Sequence, residues 1–235
     1  MSQFEAAENR AARIYEGSEK GTLSGQIFVA TQGGENAKLG AVQVGLFARD
    51  AINVLVAGLK AFADAKIGQL QSDMATAVQA EMQANAVERQ AKADESQADV
   101  VERVSGHLAA EQVRNLAKEN GNRAREAANA AKAQYDDLVR QKNFYYSSPF
   151  YFGYLHNAIQ TAETDAEGRF AIQVPQTGDF VIAVQAQRRV PNTTTERYYW
   201  LVPVSLGGQQ QLTQNLSNNS LTITTGSSSL IHTQD

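Results

Sequence analysis

About ninety residues in the middle of this chain, Asp50 to Asn143, contain no proline and are dominated by Ala, Gln, Glu, Lys and Arg, a composition that commits them to helix. The four prolines, Pro149, Pro175, Pro191 and Pro203, all lie beyond this stretch. A single straight helix of that length would run roughly 130 Å at 1.5 Å per residue, so its ends could not return to one domain. Two antiparallel helices bring the ends together and give a hairpin of roughly 60 Å. The apolar spacing agrees, with steps of three and four through Ile52, Leu55, Leu59, Phe62, Ala63, Ile67, Leu70, Met74, Ala77, Val78 and Met82. A second run passes through Val101, Val104, Leu108, Val113, Leu116, Ala124, Ala127, Ala131, Tyr135 and Leu138. Between the runs, residues 85–99 hold almost no large apolar side chain, which places the expected tip near Ala93–Ala98. Many seam positions are Ala, so the helices should pack closely while burying little area per residue. Gly106 and Gly121 should each weaken the second helix by up to about 1 kcal/mol relative to Ala.

The flanks follow a different rule. Residues 23–49 and 155–222 carry Val, Ile, Phe, Tyr and Thr in alternation, punctuated by Gly, Asn and Asp. In Arg169–Val174, Phe170, Ile172 and Val174 share one face of a strand, and in Phe180–Gln187 so do Phe180, Ile182, Val184 and Ala186. Pro175-Gln-Thr-Gly178 between them is a turn, because Pro fixes φ and Gly accepts positive φ. Thr164-Asp-Ala-Glu-Gly168 is another, following a strand over 157–163. Gly25–Ala30, Val42–Phe47 and Tyr198–Leu206 alternate as well, and Pro203 marks its strand as an edge or a bulge. Six or seven short strands with such turns predict an α+β chain: an antiparallel two-sheet β-sandwich interrupted by a long helical hairpin. The expected divisions are a helical or flexible lead over 1–22, the sandwich over 23–49 and 155–222, the hairpin over 50–143, an aromatic junction over 144–154 and a flexible tail over 223–235.

Composition removes several classes of function. A formal net charge of −4 and a pI near 5.5 give no electrostatic reason to bind nucleic acid. With no cysteine there is no disulfide, thiolate nucleophile or zinc–thiolate site. No run of about 18 apolar residues occurs, so no transmembrane helix is expected. The first twenty or so residues carry charges throughout and no apolar stretch, which does not read as a secretory signal.

Ala162-Glu-Thr-Asp-Ala-Glu-Gly-Arg-Phe-Ala-Ile-Gln-Val-Pro175, followed by Gly178-Asp-Phe-Val-Ile-Ala-Val-Gln-Ala186, resembles the carboxypeptidase regulatory-like family of transthyretin-like sandwiches. That family carries a T-D-x-x-G-x-F turn and then a Pro-and-Gly turn before its next strand. Ser24-Gly-Gln-Ile-Phe-Val29 and Gly40-Ala-Val-Gln-Val-Gly-Leu-Phe47 are similar to its opening strands. Lys38-Leu-Gly-Ala-Val-Gln-Val44, Tyr198-Tyr-Trp-Leu-Val202 and Leu216-Ser-Asn-Asn-Ser-Leu221 resemble an uncharacterised bacterial subgroup. The resemblance covers 23–49 and about 155–222, with the helical region as an insertion, and implies an accessory, non-catalytic sandwich in a periplasmic or cell-surface setting.

No constellation of catalytic, cofactor-binding or metal-ligating residues stands out. His107, His156 and His232 lie far apart, with His107 expected mid-helix, and their spacing fits no metal set. Asp165 and Glu167 read as turn chemistry rather than a calcium loop, with Asp165 bonding the neighbouring backbone. Gly33-Gly34 reads as a hairpin connection. The aromatic residues from Phe144 to Tyr154, with Tyr199 and Trp200, have two readings. They anchor the root of the hairpin, or Phe150, Tyr151, Tyr154, Tyr199 and Trp200 present a face to a partner protein or, as a weaker reading, a glycan. Glu88, Arg89, Lys92 and Glu95 are the candidate partner contacts on the hairpin. The expected role is therefore a non-catalytic platform with a coiled-coil arm that binds a protein partner. The alternative is a subunit that self-assembles through helices packed between chains.

Overall fold

The structure is a computed structural model that describes residues 3–31, 35–189 and 195–221. It is an α+β chain. In order it runs α1 (Gln3–Gly17), β1 (Lys20–Gln26), β2 (Phe28–Ala30), β3 (Asn36–Lys38), β4 (Gln43–Ala48), α2 (Arg49–Ser105), α3 (His107–Tyr145) and α4 (Ser148–Phe152). Then come β5 (Gln160–Glu163), β6 (Arg169–Pro175), β7 (Phe180–Arg189), β8 (Thr195–Val204), β9 (Gln211–Thr213) and a 3₁₀ turn at Asn218–Ser220. The chain divides into two compact units. One holds the residues up to Phe62 and those from Tyr146 onward, the other Ala63–Tyr145.

The first unit contains a three-stranded sheet in the order β6-β1-β9, a four-stranded sheet in the order β5-β4-β7-β8, and the small pair β2-β3. The four-stranded sheet is antiparallel throughout. The three-stranded sheet pairs β1 antiparallel to β6 but parallel to β9, so the expected all-antiparallel arrangement is corrected there. Strand structure also begins at Lys20, not residue 23, and α1 fills most of the lead. Pro203 lies on β8, which among the described residues is an edge strand paired to β7, the kind of position where a residue lacking an N–H is tolerated.

Alternation decides what the sheets bury. Leu23, Phe170, Ile172 and Val174 from the three-stranded sheet pack in one cluster with Val44, Leu46, Phe180, Ile182, Val184, Ala186, Trp200 and Val204 from the four-stranded sheet. Trp200 is 0% exposed, and its Nε1 donates to the Ser217 carbonyl at 2.9 Å, which removes the cost of burying that donor. Val181 and Ala183, on the opposite face of β7, pack with Phe47, Ile52, Phe152, Tyr199 and Leu201. Strand β7 is thus covered on both faces over Phe180–Val184, and this is why that stretch is continuously apolar.

The Thr164–Phe170 motif is explained residue by residue. Buried Thr164 donates its hydroxyl to the Leu39 carbonyl at 2.8 Å and accepts the Val42 N–H at 2.9 Å. Asp165 Oδ1 accepts from the backbone of Glu167 (2.9 Å) and Arg169 (2.8 Å), the turn chemistry expected of it. Gly168 has φ +74°, and a Cβ there would stand 2.5 Å from the Ile27 carbonyl, so only glycine fits. Gly33 and Gly34 lie outside the described residues; the strands flanking them, β2 and β3, pair antiparallel.

The second unit is an antiparallel helical hairpin, and its turn falls at Gly106 rather than near Ala93–Ala98. Gly106 has φ +90°, a conformation that ends α2, while its carbonyl accepts the Ala110 N–H to start α3. His107 is accordingly the first residue of α3, not a mid-helix one. In the second unit the buried positions on α2 include Ala63, Leu70, Ala77, Ala84, Ala91 and Ala98, with Ile67 beside them, and those on α3 include Ala110, Ala117, Ala124, Ala131 and Leu138. Both runs keep a spacing of seven, the period of a coiled-coil seam. Ala128 is buried too, where Ala127 was expected. Val78, Met82, Val104, Leu108 and Leu116, expected in the seam, are exposed instead. The scarcity of large apolar residues over 85–99 marked a seam of alanines, not a turn.

Candidate functional site

On the outward face of the four-stranded sheet a depression of about 870 Å³ is lined from three directions. Strand β4 contributes Gln43, Gly45 and Phe47, β7 contributes Ala183, Gln185 and Gln187, and the segment following α4 contributes His156, Asn157 and Ala158. Thr161 from β5 and the ring of Phe152 complete the walls. The register explains the polar floor. Val44 pairs with Val184 and both turn inward, so Gln43 and Gln185, the next residues along the antiparallel register and opposite each other, turn outward together. Gly45 matters by its lack of a side chain, since a Cβ would come within 2.9 Å of the Phe47 ring and 3.3 Å of Ala158 Cβ. It lets the 152–158 segment lie close on the sheet. That segment is held by the Ile159 N–H, which donates to the Leu46 carbonyl at 2.8 Å, and by Phe152 packed edge-on to Tyr199 with centroids 5.0 Å apart. Asn157 takes φ +60°, a left-handed conformation that Asn tolerates better than most residues.

The chemistry of this lining is uniform. It contains no Asp, Glu, Lys or Arg. Among the described residues, the side chains of Gln43, His156, Asn157, Thr161, Gln185 and Gln187 have no hydrogen-bond partner within the chain. A second depression, of about 450 Å³, lies along α1 between Ala11, Tyr15, Ala48 and Ile52. There the Tyr15 hydroxyl donates to Gln160 Oε1, and burial raises its pKa.

The residues singled out from sequence fall into distinct places. Phe150, Tyr151, Tyr199 and Trp200 are buried, so the partner-facing reading is corrected for these four: they anchor the first unit from within. Phe150 contacts the rings of Phe62, Tyr151 and Tyr154. Tyr154 is 47% exposed and remains available. On the hairpin, Glu88 pairs with Lys92 at 2.8 Å and with Arg125 across the seam at 3.2 Å, which together hold its carboxyl below the usual range. Glu95 lies 3.9 Å from Lys118. Toward the turn, Arg114 joins Asp99 (2.5 Å) and Glu102 (2.8 Å). His107 and Arg114 both lower the Glu102 pKa. Glu88 and Glu95 therefore staple α2 to α3, Lys92 is engaged by Glu88, and of the four expected contacts Arg89 alone is exposed with no ion pair among the described residues. Around Gly106, Val104 (81% exposed) and Leu108 (78% exposed) stand apolar in solvent, with Val100 and Leu116 behind them.

Among the described residues no helix is long and apolar enough to cross a membrane, and no three His, Asp or Glu side chains gather as metal ligands. His232 lies outside the described residues. The glutamines of the outward sheet face were missed from sequence. Their signal, Gln at alternate positions 185 and 187, is also what any solvated strand face shows.

No protein-family profile matches the chain, and no curated protein does. A crystal structure of a "putative carbohydrate binding protein" from Pseudomonas aeruginosa aligns with 12% identity over 89% of this chain and 96% of that one, with a TM-score of 0.35.

Proposed function

We propose that this chain is a non-catalytic binding module in which a carboxypeptidase regulatory-like, transthyretin-related β-sandwich carries a helical hairpin that engages a protein partner. One core shared by the inner faces of two sheets supports the sandwich, and the Thr164, Asp165, Gly168 and Phe170 turn supports the family. The resemblance, rather than any single residue, favours the bacterial cell envelope.

The observation that carries the binding role is the exposure of Val104 and Leu108 on either side of the Gly106 turn. The seam buries alanines and leaves these larger side chains outside, the reverse of what folding alone would select. Self-assembly through the same residues is the alternative reading. The test replaces both, Val104→Glu with Leu108→Glu, and measures mass by light scattering over a range of concentrations, alongside crosslinking in the native host. A monomeric wild type whose crosslinked partner vanishes in the variant supports the proposal. A wild-type oligomer that the variant dissolves transfers the role to self-assembly. Unchanged mass and unchanged crosslinks refute both.

A further inference from the structure

We infer that the depression bounded by β4, β7 and the 152–158 segment is a binding site for a neutral polyhydroxylated ligand, a saccharide. This site lies wholly in the first unit and is independent of the hairpin reading. Three features of the lining select the ligand. First, it is uncharged: an anion would require Arg, Lys or converging backbone N–H groups, and a cation would require carboxylates, and the lining has none of these side chains. The nearest ionic groups in the ladder are Glu163, paired with Gln43, and Arg197, paired with Gln187, one of each sign at the margin.

Second, its polar groups both donate and accept. Each Gln and Asn amide offers two N–H donors and a carbonyl acceptor, His156 offers one of each in its neutral form, and Thr161 offers a hydroxyl. A sugar hydroxyl likewise donates and accepts at once, so adjacent hydroxyls along a ring match adjacent amides across β4 and β7. All six side chains lack a partner within the chain among the described residues, so a ligand exchanges with water there and breaks no internal bond. Third, the wall is apolar where the floor is polar. Phe47, Phe152, Leu155 and Ala158 give the C–H faces of a sugar ring something to pack on. A volume of about 870 Å³ lies in the usual range of small-ligand sites. An extended peptide would instead add to a sheet edge, whereas this floor is the face of two strands that are each paired on both sides.

The test uses the full chain and a panel of neutral probes: malto-, cello- and chito-oligosaccharides, titrated calorimetrically and by amide chemical-shift changes. A sulfated oligosaccharide and a nucleoside serve as comparisons. Binding of at least one neutral oligosaccharide is expected, weakened roughly tenfold or more by Gln185→Ala or Gln43→Ala. These exposed glutamines can be truncated without touching the core, so the melting temperature should hold. Gln141→Ala, on the hairpin, should leave binding unchanged. No heat or shift change with any neutral probe up to about 10 mM would overturn the inference. So would binding that ignores both glutamine variants, or a preference for the sulfated probe or the nucleoside.

Discussion

Two substitutions on facing helices of the hairpin should move stability in opposite directions. Ala91 lies in the seam of α2, and its Cβ is 3.5 Å from where a Cβ on Gly121 of α3 would stand. That separation is ordinary van der Waals contact, so Gly121→Ala fits without displacement. Gly in a helix interior costs roughly 0.8–1.0 kcal/mol relative to Ala, and the new methyl also gains contact, so about 1 kcal/mol of stabilisation is expected. Ala91→Leu adds three carbons at a position that is already buried and faces Gly121. Overpacking of this kind costs about 1–3 kcal/mol. Because the two residues share one contact, the double variant should be less stable than the sum of the single changes predicts. Urea unfolding followed by circular dichroism at 222 nm reads all three, since most helix lies in α2 and α3. Stabilisation by Ala91→Leu would show that the helices stand apart there, and would remove the alanine seam on which the hairpin reading depends.

Truncating Phe170 or Phe180 to Ala should cost about 3–5 kcal/mol, because both rings are buried in the core shared by the two sheets. Near-ultraviolet circular dichroism during denaturation measures this, and costs below about 1 kcal/mol at both positions would mean the strand faces are reversed. Acid should loosen the hairpin. Glu88, lowered by Lys92 and Arg125, and Glu102, lowered by His107 and Arg114, are both more acidic in the folded state than in the unfolded one. Their stabilisation is therefore complete above the ordinary glutamate value of about 4.3 and is lost as pH falls through the lowered folded values. Thermal midpoints at 222 nm should drop over that window, and Glu88→Gln should flatten the drop; a midpoint indifferent to acid would refute the role of these staples.

The β pattern was legible because its determinants are local. Phe170, Ile172 and Val174 announce a face by alternation alone, and Thr164, Asp165 and Gly168 specify their turn by chemistry that needs no distant partner. What escaped was non-local. The parallel pairing of β9 with β1 joins Leu212 to Leu23 across most of the chain, and nothing near either residue encodes it. The aromatic stretch was half legible. Pro149 starts α4 and turns Phe150 and Phe152 inward, while Phe144, Tyr146 and Tyr154 stay outside, so anchoring and exposure both occur within one short run. The outward depression was hidden for a similar reason. Gln43 and Gln185 become neighbours only through the β4–β7 register, and the site becomes concave only because the 152–158 segment lies across the sheet.

The misplaced tip has a different cause, and it bears on function. A seam is usually sought as large apolar residues at steps of three and four, and on that rule Val78, Met82, Val104 and Leu108 look interior. A hairpin can instead be closed by alanine every seventh residue, provided that ion pairs across the seam, Glu88 with Arg125 and Asp99 and Glu102 with Arg114, fix the alignment. In such a seam each alanine buries little area, so the large side chains are not needed inside. Their place outside is then not an imperfection of packing. The same alanine spacing that keeps the two helices close leaves Val100, Val104, Leu108 and Leu116 for something other than the hairpin's own core.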